Sequence, residues 1–428
     1  MFEKFGKLKI KGDGIIWAVF FILCIISIIE VFSASSGLTY KGGSYFKPML
    51  YHTVLLIVGI AFMIVTMNVK CKYFKLVTPF ALLLSLFMLI AVLVVGQTTN
   101  GAQRWIDLFG IQFQPSELAK GAVILAEAQI LSAMQTVDGA DRHAFQYILI
   151  VSLPIIFFIG IENLSTAGLL FLTVLILMFI GRVPKRQLLR TIGFLVVCAA
   201  IGIATIWMLG KSVDESKADN DKMVLTEQVE TVKSQSIVDK VFHRFDTWKA
   251  RIVKFLDFRE IPPEEVDLDK DAQVSHANIA IASSNIIGKG PGNSVERDFL
   301  SQAFSDFIYA IIIEEMGIVG AFVVCLLYIV LLFRTATIAN RCANAFPALL
   351  VMGIALLLVT QAMFNMCVAV GLAPVTGQPL PLVSKGGTST IVNCIYIGVI
   401  LSVSYTAKRK DETENGKKNK VALATSRV

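Results

Sequence analysis

The sequence predicts an all-α polytopic membrane protein that crosses the bilayer about ten times. Its 428 residues are 55% hydrophobic and only 17% charged, which is too few charged groups to cover a soluble domain of this size. Ten apolar runs have roughly the 17–25 residues that a helix needs to span the hydrocarbon core. The runs lie near residues 14–34, 49–67, 76–96, 115–134, 146–161, 165–181, 190–209, 306–333, 347–371 and 387–405.

Lysine and arginine residues gather beside these runs, all on one side of the predicted bundle. They are Lys4, Lys7, Lys9 and Lys11 before the first run, Lys70, Lys72 and Lys75 after the second, Arg182, Lys185, Arg186 and Arg190 after the sixth, and Lys408, Arg409 and Lys410 after the last. Because cytoplasmic flanks are enriched in such residues, we expect both termini to be cytoplasmic. The net charge of +7 then reflects membrane flanks, and no nucleic-acid partner is expected.

The predicted domain organisation is a membrane domain over residues 1–407 and a charged tail, 408–428, expected to be disordered. One long connection, residues 210–305, lies outside the membrane between the seventh and eighth runs. Within it, residues 237–258 repeat apolar side chains at helical spacing, which is typical of a helix on the membrane surface. The seven cysteines show no CxxC spacing, so no disulfide or zinc site is expected.

Ionisable groups are costly in a bilayer, so polar clusters at the outer ends of spans are the first candidates for a site. The first cluster covers residues 100–106 and 114–120, with the candidates Arg104, Trp105, Gln114, Pro115, Glu117 and Lys120. Pro115 suits the first turn of a helix, and Glu117 and Lys120 share a helix face at a spacing of three. The cluster indicates either a helix start with a local ion pair or an outward-facing cationic site.

The second cluster is the glycine-rich segment 288–294, which includes Gly290 and Gly292. Its backbone has the freedom to wrap an anion, but it lacks the Gly-Lys-Ser/Thr ending of a phosphate loop. A plain turn is the alternative interpretation.

The third cluster begins with Asp306, at the start of a span that also carries Glu314 and Glu315. Asp306 can be explained as a helix cap. Two adjacent acids deeper in the span are costly enough to indicate a buried partner or a polar cavity beneath Asp306.

The fourth cluster is the last outer connection, residues 371–388, where prolines and glycines alternate with apolar residues. Irregular backbone at membrane depth is tolerated only where it is packed in protein or lines a cavity. Both a tight re-entrant turn and a cavity wall fit. The candidates are Pro374, Thr376, Pro381, Ser384, Lys385 and Gly387.

Together the four clusters resemble the SEDS family, the FtsW, RodA and SpoVE polymerases of bacterial cell-wall synthesis. The matching segments are residues 100–106, 114–120, Ala250-Arg251-Ile252 with Phe255 and Asp257, Gly288/Gly290/Gly292, 306–310 with Glu314, Glu315 and Gly317, and 371–387. They follow the family's order over nearly the whole chain. Residues 33–36 and Gly292-Asn293-Ser294 are more similar to the division-specific FtsW branch than to the RodA branch.

The chain departs from the family pattern at several places. Residues 162–166 read Glu-Asn-Leu-Ser-Thr in place of Pro-Asp/Asn-x-Gly-Thr, and only Gln273 and Ser275 remain of a Gln-x-x-Gln-Ser motif. Ser301 and Phe304 replace a Pro and a His before Asp306, and Lys385 replaces a Tyr. These differences affect the expected acceptor contacts of the long loop and leave the expected reaction intact.

The resemblance implies an inverting peptidoglycan glycosyltransferase of the bacterial inner membrane that polymerises lipid II on the outer face during septal wall synthesis. It implies Asp306 as general base. The candidate substrate-binding residues are Arg104, Glu117, Lys120, Arg251, Gln273, Ser384 and Lys385, and those that shape the cavity are Trp105, Gln114, Pro115, Gly290, Gly292, Glu314, Glu315, Pro374, Thr376, Pro381 and Gly387.

No cofactor is required by this reaction, although a divalent cation, Mg²⁺ or Mn²⁺, bridging the pyrophosphate is an alternative. The implied partner is a class B penicillin-binding protein, the septal transpeptidase, among other divisome proteins. Two further classes of function stay open at this point: a lipid II flippase, and a scaffold that only recruits the transpeptidase.

Overall fold

The computed structural model describes residues 11–36, 46–99, 102–108, 111–209, 272–300 and 305–425. Arg251 and the surface helix predicted at 237–258 lie outside the described residues. The described helices are α1 (Gly14–Ser36), α2 (Phe46–Asn68), α3 (Cys71–Val95), α4 (Pro115–Ala133), α5 (Arg142–Glu162), α6 (Leu164–Ile180), α7 (Lys185–Leu209), α8 (Ala272–Ala282), α9 (Ile308–Arg341), α10 (Ala345–Ala369) and α11 (Thr388–Thr425). Apart from the short α8, each coincides with one predicted apolar run, so the helical membrane fold is confirmed.

Seven of the described helices are long and apolar enough to cross a membrane, namely α1, α2, α3, α5, α9, α10 and α11. Helix α6 is apolar but has only 17 residues, and α4 carries buried Glu117, Lys120 and Glu127 among its apolar side chains. The count of ten spans therefore stays a prediction for α4, α6 and α7.

Helix α10 lies at the centre of the bundle and is buried along most of its length. It packs against α9, α4 and α6, while α11 packs along α2. The outer helices α2 and α3 leave large apolar side chains exposed, including Phe80 and Phe87. In a bilayer these faces meet lipid, which removes any cost of exposing them.

The α3–α4 connection folds into a small antiparallel sheet, which the all-α prediction did not include. Strands β1 (Gln97–Thr99), β2 (Ala102–Leu108) and β3 (Ile111–Phe113) pair in the order β1-β2-β3. The hydroxyl of Thr388 donates to the carbonyl oxygen of Gln112 over 3.0 Å, which ties β3 to the start of α11. A second hairpin, β4 (Gln135–Thr136) and β5 (Gly139–Ala140), forms the α4–α5 connection.

Helix α9 consists of two helical segments joined at Gly317, whose φ is 71° and ψ is −173°. A Cβ at this position would lie 2.3 Å from the carbonyl oxygen of Ile286 and 2.5 Å from the amide nitrogen of Gly288. Only glycine fits this approach of two backbones. The loop after α8 is thereby packed directly against the break in α9.

The end of the bundle that carries the basic flanks is held by polar contacts between helices. The guanidinium of Arg334 forms a two-pronged ion pair with Asp13, with Nη2 2.6 Å and Nε 2.9 Å from Oδ2. Lys11 Nζ donates to Asn68 Oδ1 over 2.8 Å. These contacts join the start of α1 to the end of α2 and to the last turns of α9.

Helix α11 continues to Thr425 and includes most of the charged tail, whose expected disorder stays a prediction. The tail is rich in Lys and Glu, which lose little rotamer freedom in a helix.

Candidate active site

Asp306 lies just before α9 but is not its N-cap. The N-cap position is Phe307, which makes no side-chain capping bond. The carboxylate of Asp306 is partly exposed, and its Oδ1 accepts a hydrogen bond from the hydroxyl of Ser305 over 3.0 Å. The N-cap residue of α9 is therefore Phe307 and not Asp306.

Ser384 holds the backbone beside Asp306. Its hydroxyl donates to the carbonyl oxygen of Ser305 over 2.6 Å and accepts from the amide of Leu380 over 2.7 Å. The side chain is buried. In this structure Ser384, a candidate for substrate binding, uses its hydrogen-bonding capacity to position the residue that precedes Asp306.

Asn365 holds the same backbone from the side of α10. Its Nδ2 donates to the carbonyl oxygen of Asp306 over 2.8 Å and to that of Gln378 over 2.6 Å. The side chain of Gln378 in turn donates to the hydroxyl of Thr166 at the start of α6. Sequence reasoning missed Asn365, although an amide inside an apolar run is itself a signal of a buried polar contact.

Arg104 and Asp306 border the same glycine. A Cβ at Gly377 would lie 3.1 Å from Nη1 of Arg104 and 3.4 Å from Oδ2 of Asp306. The Nε of Arg104 also contacts the carbonyl oxygen of Glu162 over 3.4 Å. The structure thus brings together a carboxylate and a guanidinium that are far apart in the sequence, next to a residue that leaves space between them.

Other candidates of the first cluster gather around Arg104. Gln114 and Pro115 line a small cavity of about 20 Å³ together with Arg104. Trp105 follows Arg104 on β2, and a Cβ at Gly387 would be 3.9 Å from the Trp105 ring. The predicted outer polar cluster is therefore a spatial cluster, built on the small sheet and the start of α4.

Lys120 forms the ion pair that its spacing from Glu117 predicts. Its Nζ lies 2.8 Å from Oε1 of Glu117 and 2.7 Å from Oε1 of Gln361, and both charged side chains are at most 3% exposed. Gln361 continues the chain of contacts by donating to the carbonyl oxygen of Pro379 over 3.1 Å. Lys120 thus joins α4 to α10 and, through Gln361, to the α10–α11 connection.

Glu314 and Glu315 are fully buried and are enclosed by the glycine-rich segment. The amide of Gly292 donates to Oε2 of Glu315 over 3.0 Å, and Lys289 Nζ lies 2.6 Å from Oε1 of Glu314. Ser294 contacts both carboxylates, with its amide on Glu315 over 3.2 Å and its hydroxyl on Glu314. The segment does wrap an anion, and that anion is the protein's own pair of carboxylates.

Helix α1 closes the same acidic cluster. The hydroxyl of Ser33 donates to Oε1 of Glu315, and Nη1 of Arg297 lies 3.0 Å from the hydroxyl oxygen of Ser33 and 3.9 Å from Glu315. The polar cavity predicted beneath Asp306 is therefore filled by groups of the chain.

The α10–α11 connection has an irregular backbone and is packed within protein. This is one of the two situations in which such a backbone is tolerated at membrane depth. Tyr328 donates from its hydroxyl to the carbonyl oxygen of Pro381. Thr376 is buried. The Lys385 side chain is itself partly buried, and this burial lowers the pKa of its ammonium below the ordinary value. Pro379, Gln378 and Ser384 of this connection contact Gln361, Asn365 and the backbone beside Asp306.

Gln273 lies in the first turn of α8. One turn further along, His276 Nδ1 lies 2.6 Å from Oε2 of Glu296, and its ring stacks on Phe299 with centroids 5.1 Å apart. These contacts fold the chain between α8 and Asp306 onto itself.

The fold and the site define a polytopic helical membrane protein that presents a carboxylate and a guanidinium at one end of the bundle. The FtsW/RodA/SpoVE family model, described as "Cell cycle protein", matches residues 13–409. The chain belongs to this family, and the resemblance seen in the sequence is confirmed.

Relatives and solved structures agree with this membership. The peptidoglycan glycosyltransferase MrdB of Escherichia coli K12 is 27% identical over 92% of this chain and 94% of its own length. The probable peptidoglycan glycosyltransferase FtsW of Geobacter sp. M18 is 29% identical over 92% and 98%.

The same fold occurs in two solved structures. One chain belongs to a peptidoglycan synthase complex that coordinates polymerization and crosslinking; it is 23% identical with a TM-score of 0.65 over 93% of this chain and 99% of that one. The other is the rod shape determining protein RodA of Thermus thermophilus, 21% identical with a TM-score of 0.60 over 93% and 98%.

Proposed function

We propose that this chain is a peptidoglycan glycosyltransferase that polymerises lipid II on the outer face of the bacterial inner membrane, with Asp306 as general base. The observation that carries the proposal is the pairing of Asp306 and Arg104 beside Gly377. The relatives named peptidoglycan glycosyltransferases support the same activity.

In the proposed reaction the carboxylate of Asp306 accepts the proton of the acceptor sugar's 4-hydroxyl while that oxygen attacks the anomeric carbon of the donor. The bond from this carbon to the pyrophosphate oxygen breaks, and the configuration inverts. The guanidinium of Arg104 stabilises the negative charge that develops on the pyrophosphate. The lipid pyrophosphate supplies the energy, so the reaction needs no nucleotide.

A divalent cation on the pyrophosphate stays a prediction. Within the described ranges, no group of three or more His, Cys, Asp and Glu side chains is arranged to hold a metal ion. In the proposed step the guanidinium of Arg104 neutralises charge on the pyrophosphate.

We propose a class B penicillin-binding protein as partner, and the septal transpeptidase in particular. The matching fold in a peptidoglycan synthase complex supports a partner of this kind. Support for the septal role comes from the FtsW-like segments, residues 33–36 and Gly292-Asn293-Ser294.

The test is a lipid II polymerisation assay on the chain purified with its cognate transpeptidase. Asp306→Asn keeps the size of the side chain but cannot take a proton at neutral pH, so glycan synthesis should fall by about 10²–10⁴. Asp107→Asn is the control, because Asp107 is an exposed acid on the nearby strand β2. It should leave the rate unchanged, and melting curves should show equal folding of all three proteins.

A near-parental rate of glycan synthesis by Asp306→Asn would show that Asp306 is not the general base. A flippase or a scaffold would then be the better explanation of the fold, since neither needs Asp306 for polymerisation in detergent, where there is no membrane to cross.

A further inference from the structure

A second cavity, of about 660 Å³, lies between α5, α6 and α7. Its volume falls in the range of about 300–1,000 Å³ that is typical of small-molecule sites, and it is far larger than the cavity of about 20 Å³ at Arg104. None of the candidate site residues lines it. The cavity is open on one side of the bundle. Exposed side chains on its border, such as Leu153 and Phe194, would face lipid in a bilayer.

The lining changes from polar to apolar along the cavity. The polar side chains, Gln146, Gln187, Arg190 and Thr191, all lie within the first turns of α5 and α7. These two helix starts are at the same end of the bundle, because Gln187 Nε2 donates to the carbonyl oxygen of Arg142 over 3.2 Å. The other lining residues are apolar, so the cavity has one polar end and a long apolar body.

The hydrocarbon core of a bilayer contains no water to fill an apolar groove. The body of this groove must therefore hold hydrocarbon chains in the membrane. A bound lipid that lies along α5 and α7 would place its headgroup at the polar end.

Charge selects the kind of lipid. Arg190 has no ion-pair partner among the described residues, and no Asp or Glu lines the groove. Basic pockets between helices on the cytoplasmic side are known binding sites for anionic headgroups, and the basic flank that starts α7 is on the side that the positive-inside rule assigns to the cytoplasm. A guanidinium also matches a phosphate through paired hydrogen bonds.

We propose that this groove binds an anionic phospholipid of the cytoplasmic leaflet, with its phosphate on Arg190 and its acyl chains between α5, α6 and α7. The polar end of the groove lies at the opposite end of the bundle from Asp306, and none of the groove's lining residues belongs to the proposed reaction. The bound lipid would add contacts between α7 and the helices α5 and α6, beside the hydrogen bond of Gln187 to Arg142.

The experiment is native mass spectrometry of the full chain, purified from nanodiscs of phosphatidylcholine with a minor fraction of phosphatidylglycerol as the probe. The parent protein should retain phosphatidylglycerol in preference to phosphatidylcholine. Arg190→Gln should lower the retained phosphatidylglycerol by about fivefold, the effect of one basic side chain near an anionic headgroup. Arg186→Gln removes a charge from the same helix start outside the groove and should have little effect.

Filling the groove provides an independent test. Gly168 lines the groove, and a Cβ there has no atom within 4 Å, so the side chain of Gly168→Leu begins in open space. Gly193→Leu is the matched control on α7, where a Cβ also has no atom within 4 Å but the groove is not affected. Only Gly168→Leu should reduce lipid retention, with melting curves reporting the folding of both variants.

Three outcomes would overturn the proposal. Equal losses for Arg190→Gln and Arg186→Gln would show diffuse surface charge. Unchanged retention in both Arg190→Gln and Gly168→Leu would show that the lipid binds elsewhere. Retention of an undecaprenyl phosphate or of lipid II in place of phosphatidylglycerol would assign the groove to the substrate.

Discussion

Gln361 and Asn365 lie one turn apart on α10 and connect the two charged parts of the candidate site. Gln361 receives Lys120 Nζ at 2.7 Å, and Asn365 donates to the carbonyl oxygen of Asp306 at 2.8 Å. Residues four apart share a helix face, so one turn of a buried helix fixes both α4 and the backbone of the proposed base. The side-chain amides of Gln361 and Asn365 act by positioning Lys120 and Asp306, and no contact of these amides with substrate is proposed.

The pairing of Arg104 and Asp306 depends on the lack of a side chain at Gly377. We expect Gly377→Ala to lower glycan synthesis strongly, because its Cβ would lie 3.1 Å from Arg104 Nη1 and 3.4 Å from Asp306 Oδ2. Gly371→Ala is the matched control: both glycines have positive φ, 68° and 77°, but a Cβ at Gly371 has no atom within 4 Å. Equal activity losses in the two variants would attribute the effect to backbone strain alone.

The buried pair of Glu117 and Lys120 allows its structural role to be separated from a role in substrate binding. Lys120→Met leaves the Glu117 carboxylate buried without its counter-ion, which should cost about 3–5 kcal/mol of stability. The double variant Glu117→Gln/Lys120→Met should recover most of that loss. Denaturation curves and the polymerisation assay are measured on the same samples; a stable but inactive Lys120→Met protein would instead assign Lys120 to the substrate.

The ion pair of Asp13 and Arg334 predicts a pH-dependent stability. Burial by itself would raise the pKa of Asp13, but the hydrogen bonds and charge of Arg334 and the amides of Ile15 and Ile16 hold that pKa below its ordinary value. A lowered carboxyl pKa stabilises the fold above the unfolded-state value, and this contribution is lost as the pH falls through the folded-state value. Arg334→Gln should therefore lower the Tm at neutral pH, and the difference from the parent should narrow below about pH 4. A Tm difference between Arg334→Gln and the parent that stays constant from neutral pH to below about pH 4 would contradict an ionic contact between Asp13 and Arg334.

The orientation of the site can be tested with two single cysteines. Val137, at the tip of the β4–β5 hairpin, and Ile287, in the loop packed against Gly317, are 98% and 81% exposed. In cells with a permeabilised outer membrane, a membrane-impermeant thiol reagent should label Ile287→Cys, while Val137→Cys should react only after lysis. The reverse pattern would place the Asp306 end in the cytoplasm.

The sequence predicted the parts of this protein that depend on local spacing. Apolar runs located the long helices, and the spacing of three residues between Glu117 and Lys120 predicted their ion pair. These features follow from helix geometry, which is the same in any context.

Contacts between distant segments were not predictable in the same way. The glycine-rich segment has the backbone freedom to bind an anion, but nothing in its composition shows that the anion is Glu315, 23 residues beyond Gly292. Likewise, Gly377 is one of several glycines in its connection, and only the fold shows that Arg104 and Asp306 meet there. Gln361 and Asn365 left a signal in the sequence, as amides in an apolar span, but their partners depend on packing.

The break in α9 gives the first nine residues of that helix, 308–316, a fixed point at each end. At one end Gly317 is packed against the backbone of Gly288, and at the other Asn365 and Ser384 hold residues 305 and 306. With both ends of this segment held, the position of Asp306 depends on the loop that encloses Glu314 and Glu315 as well as on α10 and the α10–α11 connection. The backbone that carries the proposed base is therefore positioned by contacts at both ends of one short helical segment.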